Sequence, residues 1–129
     1  MKKTDDQLNN EIGQLLFKSS PNGAKKVIAQ LEFTPEMDVC RYLFDYYNQN
    51  DELNWYLLDD DITDPLIDTV TELRQYYIDN NLTNGLPAWI GCIITVDIEN
   101  AKIDFELSMN DLLIFIVSMT VMITSNLTH

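Results

Sequence analysis

Apolar residues recur at helical or at alternating spacing along most of the chain, and the spacing predicts where its elements lie. The first element is a predicted amphipathic helix over residues 5–18, with its apolar stripe at Leu8, Ile12, Leu15 and Leu16. Thr4 and Gln7 precede this stripe at capping-box spacing, which indicates that the helix begins there. The run of Ser, Pro, Asn and Gly at 19–23 predicts its end.

Three segments with strand-like patterns follow the first helix. Residues 26–33 alternate, with one face made of Val27, Ala29, Leu31 and Phe33. Residues 38–47 alternate in the same way, and residues 53–58 form a third apolar and aromatic run. Because short turns at 34–37 and 48–51 separate these segments, we predict an antiparallel meander.

The second half of the chain contains one more predicted helix and two more predicted strands. Asp64 is the expected N-cap and Pro65 the expected first residue of a helix over 65–79. Its apolar stripe is Leu66, Val70, Leu73 and Tyr77. Strands are predicted at 88–96 and 102–107, joined by a turn at 97–100. The order α-β-β-β-α-β-β predicts an α+β fold, in which helices pack on an antiparallel sheet of about five strands.

An uncharged apolar run at 112–124 ends the pattern. It is shorter than the roughly 18–20 residues that a membrane-spanning helix needs, and its composition suits a helix or a strand equally. A buried terminal element is the interpretation we favour over an association surface or a membrane contact. We therefore predict a single domain, residues 1–129, with a core at 5–107 and an apolar tail at 109–127.

The charge is strongly negative and unevenly distributed. The 129 residues carry 21 acids against 8 Lys and Arg, which gives a net charge of −13. Residues 36–72 alone contain eleven acids and a single basic residue, Arg41. Nucleic acids and anionic membranes require basic surfaces, so neither is an expected partner. A basic protein is the expected electrostatic complement.

The acidic run LLDDDITD at 57–64 raises the question of a metal site. A calcium loop that starts at Asp59 requires Gly at its sixth position and Glu at its twelfth, where this chain has Asp64 and Val70. We therefore expect no metal ion. Asp64 is assigned to the helix cap, and the remaining acids fit a solvated turn or a partner-binding surface equally well.

Catalytic signatures are likewise missing from the sequence. His129, the only histidine, is the last residue, and the four glycines are isolated rather than grouped into a phosphate-binding loop. We expect neither a catalytic residue nor a cofactor. Cys40 and Cys92 lack the spacing of a zinc site and are expected to be reduced, buried thiols. No apolar signal segment follows the N-terminal lysines, so we expect a cytoplasmic protein.

Carboxylates lie beside large aromatic side chains between residues 45 and 61, a combination that favours protein recognition. The candidate partner-binding residues are Asp45, Tyr46, Tyr47, Asp51, Glu52, Trp55, Tyr56, Asp59, Asp60 and Asp61. The structural alternative is that aromatic residues in strands belong to the core. For Trp55 and Trp89 core packing is the interpretation we favour.

Several stretches resemble the YezG family, small acidic immunity proteins encoded beside LXG-type polymorphic toxins. Relatives of that group also occur beside contact-dependent inhibition toxins. The similar stretches are LNNEIGQ at 8–14, RYLFDYY at 41–47, the helix at 68–77, and the hairpin formed by WIGCIITVD at 89–97 and KIDFE at 102–106.

The resemblance implies an α+β immunity protein that binds and neutralises a cognate toxin, often a nuclease, without catalytic residues of its own. After the hairpin this chain is apolar, whereas the family tends to continue with acidic and aromatic residues. A second hypothesis is therefore a non-catalytic adaptor module that uses the apolar C-terminal segment for docking or self-association.

Overall fold

The predicted α+β architecture is confirmed. The computed structural model describes residues 3–33, 39–82, 90–109 and 112–120, with side chains except at residues 39, 40, 109 and 112–120. The helices are α1 (Asp5–Lys18) and α2 (Asp60–Asp79). The strands are β1 (Lys26–Phe33), β2 (Val39–Tyr47), β3 (Leu53–Trp55), β4 (Gly91–Asp97), β5 (Lys102–Met109) and β6 (Leu112–Thr120).

The described strands form one antiparallel sheet in the order β3-β2-β1-β4-β5-β6. The predicted meander is its β1-β2-β3 half, and the second half returns along β4 and the C-terminal strands. Val27 lies between Tyr46 and Val96, and Ala29 lies between Phe44 and Ile94. The central strand β1 therefore connects the two halves, which come from different parts of the sequence.

The core lies between the two helices and one face of the sheet. On that face every second residue of β1, β4 and β5 is buried, as Val27, Ile94 and Phe105 illustrate. The helices cover them with the stripes that their 3.6-residue periodicity predicts, and the predicted stripe of α2 is buried throughout. Each fully buried Leu, Ile or Phe stabilises the fold by about 1.5–3 kcal/mol relative to an exposed side chain.

The N-terminal cap of α1 agrees with the prediction in detail. The amide N of Gln7 donates to the Thr4 hydroxyl at 3.2 Å, and the amide N of Thr4 donates to the Gln7 side chain at 2.8 Å. Asp5 and Asp6 occupy the first turn, where the positive end of the helix dipole favours acids.

The prediction for the start of α2 is wrong. The helix begins at Asp60 after the N-cap residue Asp59, so Asp64 is not the cap and Pro65 lies inside the helix. The amide N atoms of Ile62 and Thr63 both donate to the Asp59 carbonyl at 2.9 Å, which forms the extra turn. That turn places Thr63 in the core at 3% exposure.

The predicted third strand is shorter in the structure. β3 spans Leu53–Trp55, although the amide N of Tyr56 still donates to the Phe44 carbonyl at 3.0 Å. At the other end of the sheet, residues 112–120 form β6, which pairs with β5. Residues 112–120 of the apolar tail therefore adopt the strand rather than the helix, and residues 110, 111 and 121–129 lie outside the described part.

The cysteine prediction is confirmed for Cys92, which is a free, buried thiol on β4. Burial away from water disfavours the thiolate and raises the pKa of Cys92 above its ordinary value. The Cys40 side chain is outside the described set, as is Trp89, so their predictions stay predictions.

Candidate protein-binding surface

The second face of the sheet, opposite the helices, is the main candidate surface, and we call it the open face. It carries the other set of alternating side chains on β1 to β5. Within the described residues, none of them is buried and no helix packs on them. A sheet face that carries exposed apolar side chains and has no helix packed on it is typical of a binding surface.

Apolar side chains are concentrated on the β2-β3 half of the open face. Trp55 pairs with Asp45, and Leu53 pairs with Tyr47, so all four share this face. Leu43 continues the set along β2. The exposed fractions are 73% for Trp55, 54% for Leu53 and 52% for Leu43. The expectation that Trp55 packs in the core is therefore wrong.

The strand register extends this patch onto the middle of the sheet. Ile28 on β1 lies between Asp45 and Thr95, and Ile93 on β4 pairs with Gln30. Both isoleucines are half-buried by their neighbours. Sequence reasoning missed Leu43, Leu53 and these isoleucines, although strict alternation from Asp45 and Trp55 would have placed them on the same face.

Carboxylates border the apolar patch. Asp104 and Glu106 on β5 are exposed and lie in register with Thr95 and Ile93. Asp45 is half-buried within the patch itself. The nearby Arg41 is already bound to Glu32, with Nη2 to Oε1 at 2.7 Å.

The turn between β2 and β3 is held in place by side-chain contacts and carries Asp51 and Glu52. The Asn48 side chain accepts hydrogen bonds from the amide N atoms of Asn50 and Glu52 at 2.9 and 3.0 Å. Asp51, with a positive φ of 60°, bonds to Lys25 at 2.8 Å. Since its geometry is fixed beforehand, this end of the surface loses little entropy on binding.

Tyr46 and Tyr56 lie on the helix side of the sheet, away from the open face. Their rings meet edge to face at 5.6 Å between centroids, and the Tyr56 ring is 6.0 Å from that of Phe44. Burial and the charge of Asp45 raise the pKa of Tyr56 to about 12. These two candidates contribute to packing, whereas Tyr47 and Trp55 are accessible from the opposite side.

The acidic run lies at the start of α2. Asp59 is the N-cap without a side-chain capping bond, and Asp60 and Asp61 occupy the first turn. All three are exposed. Their charges stabilise the positive end of the helix dipole, and they remain accessible to a partner. The ten candidate residues thus divide among the open face, the β2-β3 turn, the helix side and the α2 N-terminus.

A depression of about 440 Å³ lies at one end of the open face, above Gly91. Its rim includes Glu32, Arg41 and Ser108. A methyl group added at Gly91 would lie 2.6 Å from the Ser108 hydroxyl oxygen, so glycine at this position lets the Ser108 side chain lie close to β4. The depression offers a place for one side chain of a partner beside the apolar patch.

Neither a metal centre nor a membrane-spanning helix is found where the structure is described. In residues 3–33, 39–82, 90–109 and 112–120, no group of three metal-ligating side chains converges. No helix there is long and apolar enough to cross a bilayer.

We compared the chain with protein-family models and with curated protein sequences. No protein-family model and no curated protein sequence matches the chain.

Proposed function

We propose that this protein is an immunity protein that binds a cognate bacterial toxin and blocks it, without catalysing a reaction. The toxin is a basic protein, a nuclease domain in the simplest case, and it docks on the β2-β3 half of the open face. The resemblance of several stretches within residues 8–107 to YezG-type immunity proteins supports the toxin as the class of partner.

The observation that carries the proposal is the clustering of exposed apolar side chains. Among the described residues, seven large hydrophobic side chains are exposed, and three of them, Leu43, Leu53 and Trp55, lie together on the open face. A soluble monomer rarely leaves such a group uncovered. Trp and Tyr at the centre with charged residues at the rim are the composition of a protein interface.

Charge supports a basic partner and suggests how the toxin is blocked. A nuclease must attract phosphates with Lys and Arg, and a protein with net charge −13 is attracted to the same side chains. An acidic protein that covers these basic side chains excludes the nucleic acid both sterically and by like-charge repulsion.

The test is co-expression with the toxin encoded by the neighbouring gene, measured as bacterial survival and as the dissociation constant of the purified complex. The native chain should protect. Trp55→Ala should weaken binding by about 2 kcal/mol, roughly 30-fold, because a central Trp supplies much of an interface's energy.

Ile78→Ala is the matched control, because Ile78 is also apolar and 40% exposed but lies on α2. It should leave survival and affinity unchanged. Failure of the native chain to bind or protect against the neighbouring toxin would contradict the proposal. An equal loss of affinity in Trp55→Ala and Ile78→Ala would show that the open face is not the docking surface.

A further inference from the structure

The edge of the sheet at β3 has backbone groups that no described strand uses. β3 is the terminal strand of the sheet and pairs only with β2. Amide N to carbonyl O bonds join Asn48 to Glu52 and Tyr56 to Phe44. Because bonding alternates along an antiparallel pair, the amide and carbonyl groups of Leu53 and Trp55 point away from β2.

This edge has few of the protections that sheet edges usually have. Proteins block exposed edges with Lys, Pro, bulges or a covering element. β3 contains neither Lys nor Pro, its three residues are all exposed, and it pairs with β2 without a register shift. Its brevity is the remaining protection, but the bonded stretch continues from Glu52 to Tyr56, long enough to pair with a short strand.

The surrounding charge selects the kind of strand that can pair there. Asp51 and Glu52 precede β3, and the acids of 59–61 follow it. No Lys or Arg occurs in the sequence between Arg41 and Arg74. A strand bearing Lys or Arg is therefore attracted to this edge, whereas the same edge of a second copy is repelled.

We propose that the partner binds by adding an extended, Lys- or Arg-bearing strand to the free edge of β3. The strand would bond to the outward amide and carbonyl groups of Leu53 and Trp55, as in other cases of strand addition. Its side chains would contact Trp55 on the open face. The identity of this strand as part of a toxin rests on the proposed function, but the binding mode is tested separately.

The probe is a capped heptapeptide that alternates Lys and Val, titrated into the full ¹⁵N-labelled chain. Hydrogen exchange at the amides of Leu53 and Trp55 should slow on binding, because these donors become bonded. The amide of Asn54, which the register directs toward β2, should change little. A Glu-Val peptide should not bind, and N-methylation of alternate peptide residues should weaken binding by about tenfold.

A proline variant tests the edge from the protein side. Proline is tolerated at the first residue of an edge strand, so Leu53→Pro should keep the fold while removing an outward donor. It should weaken peptide binding by about tenfold. Leu53→Ala, which loses the same side chain but keeps the amide, should retain most of it. Far-UV circular dichroism and the Asn54 amide signal verify that Leu53→Pro is folded.

Two results would overturn strand addition. One is no binding of the Lys-Val peptide at about 1 mM, and the other is binding that N-methylation and Leu53→Pro leave unchanged. If the neighbouring toxin is still neutralised in that case, the proposed function stands and only the binding mode fails. If the peptide binds as expected but the toxin does not, the edge site stands and the toxin is the wrong partner.

Discussion

Among single residues, Tyr56 is notable because its hydroxyl is buried and has no hydrogen-bond partner among the described residues. Tyr56→Phe removes this group and keeps the ring contacts with Phe44 and Tyr46. Leaving a polar group buried and unbonded costs about 1–3 kcal/mol, so the variant should be as stable as the native chain or more stable at neutral pH. Urea unfolding measures the difference.

The same substitution should change the response to alkaline pH. The pKa of Tyr56 is about 12 in the folded chain, against 10.0 for an ordinary tyrosine. Between these values the unfolded chain loses its proton first, so native stability falls as pH rises above 10. The loss of stability with rising pH should be shallower in Tyr56→Phe. Part of the loss that remains comes from Tyr77, because burial also raises the pKa of that residue. An equal slope would show that the folded chain does not raise the pKa of Tyr56, and a clear loss of stability at neutral pH would show that its hydroxyl is bonded.

At the scale of elements, α2 has an interior proline that costs it stability. Pro65 is the sixth residue of the helix. Because proline has no amide proton, it cannot donate the helical hydrogen bond to the Asp61 carbonyl, and its ring crowds that carbonyl. Pro65→Ala should raise the free energy of unfolding by about 1–3 kcal/mol. Gln75→Ala, a control on the same helix, should change it by a few tenths of a kcal/mol. Destabilisation by Pro65→Ala would mean that the core packing around Thr63 depends on the proline.

Local signals explain which elements could be predicted from the sequence. The bounds of α1 and β1 agree with the predictions because a capping box, a Pro-Asn-Gly stop and strict alternation all lie within a few residues. α2 was misplaced because Asp64-Pro65 is a strong local start signal. The packing of Thr63 and the favourable position of Asp60 and Asp61 at the dipole outweigh that signal.

The candidate surface was predictable in composition but not in arrangement. Adjacent residues such as Asp45 and Tyr46 were grouped by sequence proximity, although adjacent strand residues point to opposite faces. Whether Trp55 is buried depends on which strand lies at the edge of the sheet. That depends on long-range pairing of β1 with β4, which a local pattern does not report.

At the scale of the whole molecule, the distribution of charge should matter more than its total. Two triple variants each reduce the net charge from −13 to −10 by removing three acids. The first, the open-face variant, neutralises acids on and beside the β2-β3 half, with Asp45→Asn, Asp51→Asn and Glu52→Gln. The second neutralises the exposed side of α2, with Asp64→Asn, Asp68→Asn and Glu72→Gln.

Association with the proposed partner toxin should separate these two variants at physiological salt. At about 0.15 M the screening length is roughly 8 Å, so only acids near the docking surface steer the partner. The open-face variant should then associate more slowly than the native chain, and the α2 variant at the native rate. At about 0.01 M the screening length is roughly 30 Å and both variants should be slow. Stopped-flow association rates at the two salt concentrations test this. An α2 variant slower than the open-face variant at about 0.15 M would place the docking surface on the helix side.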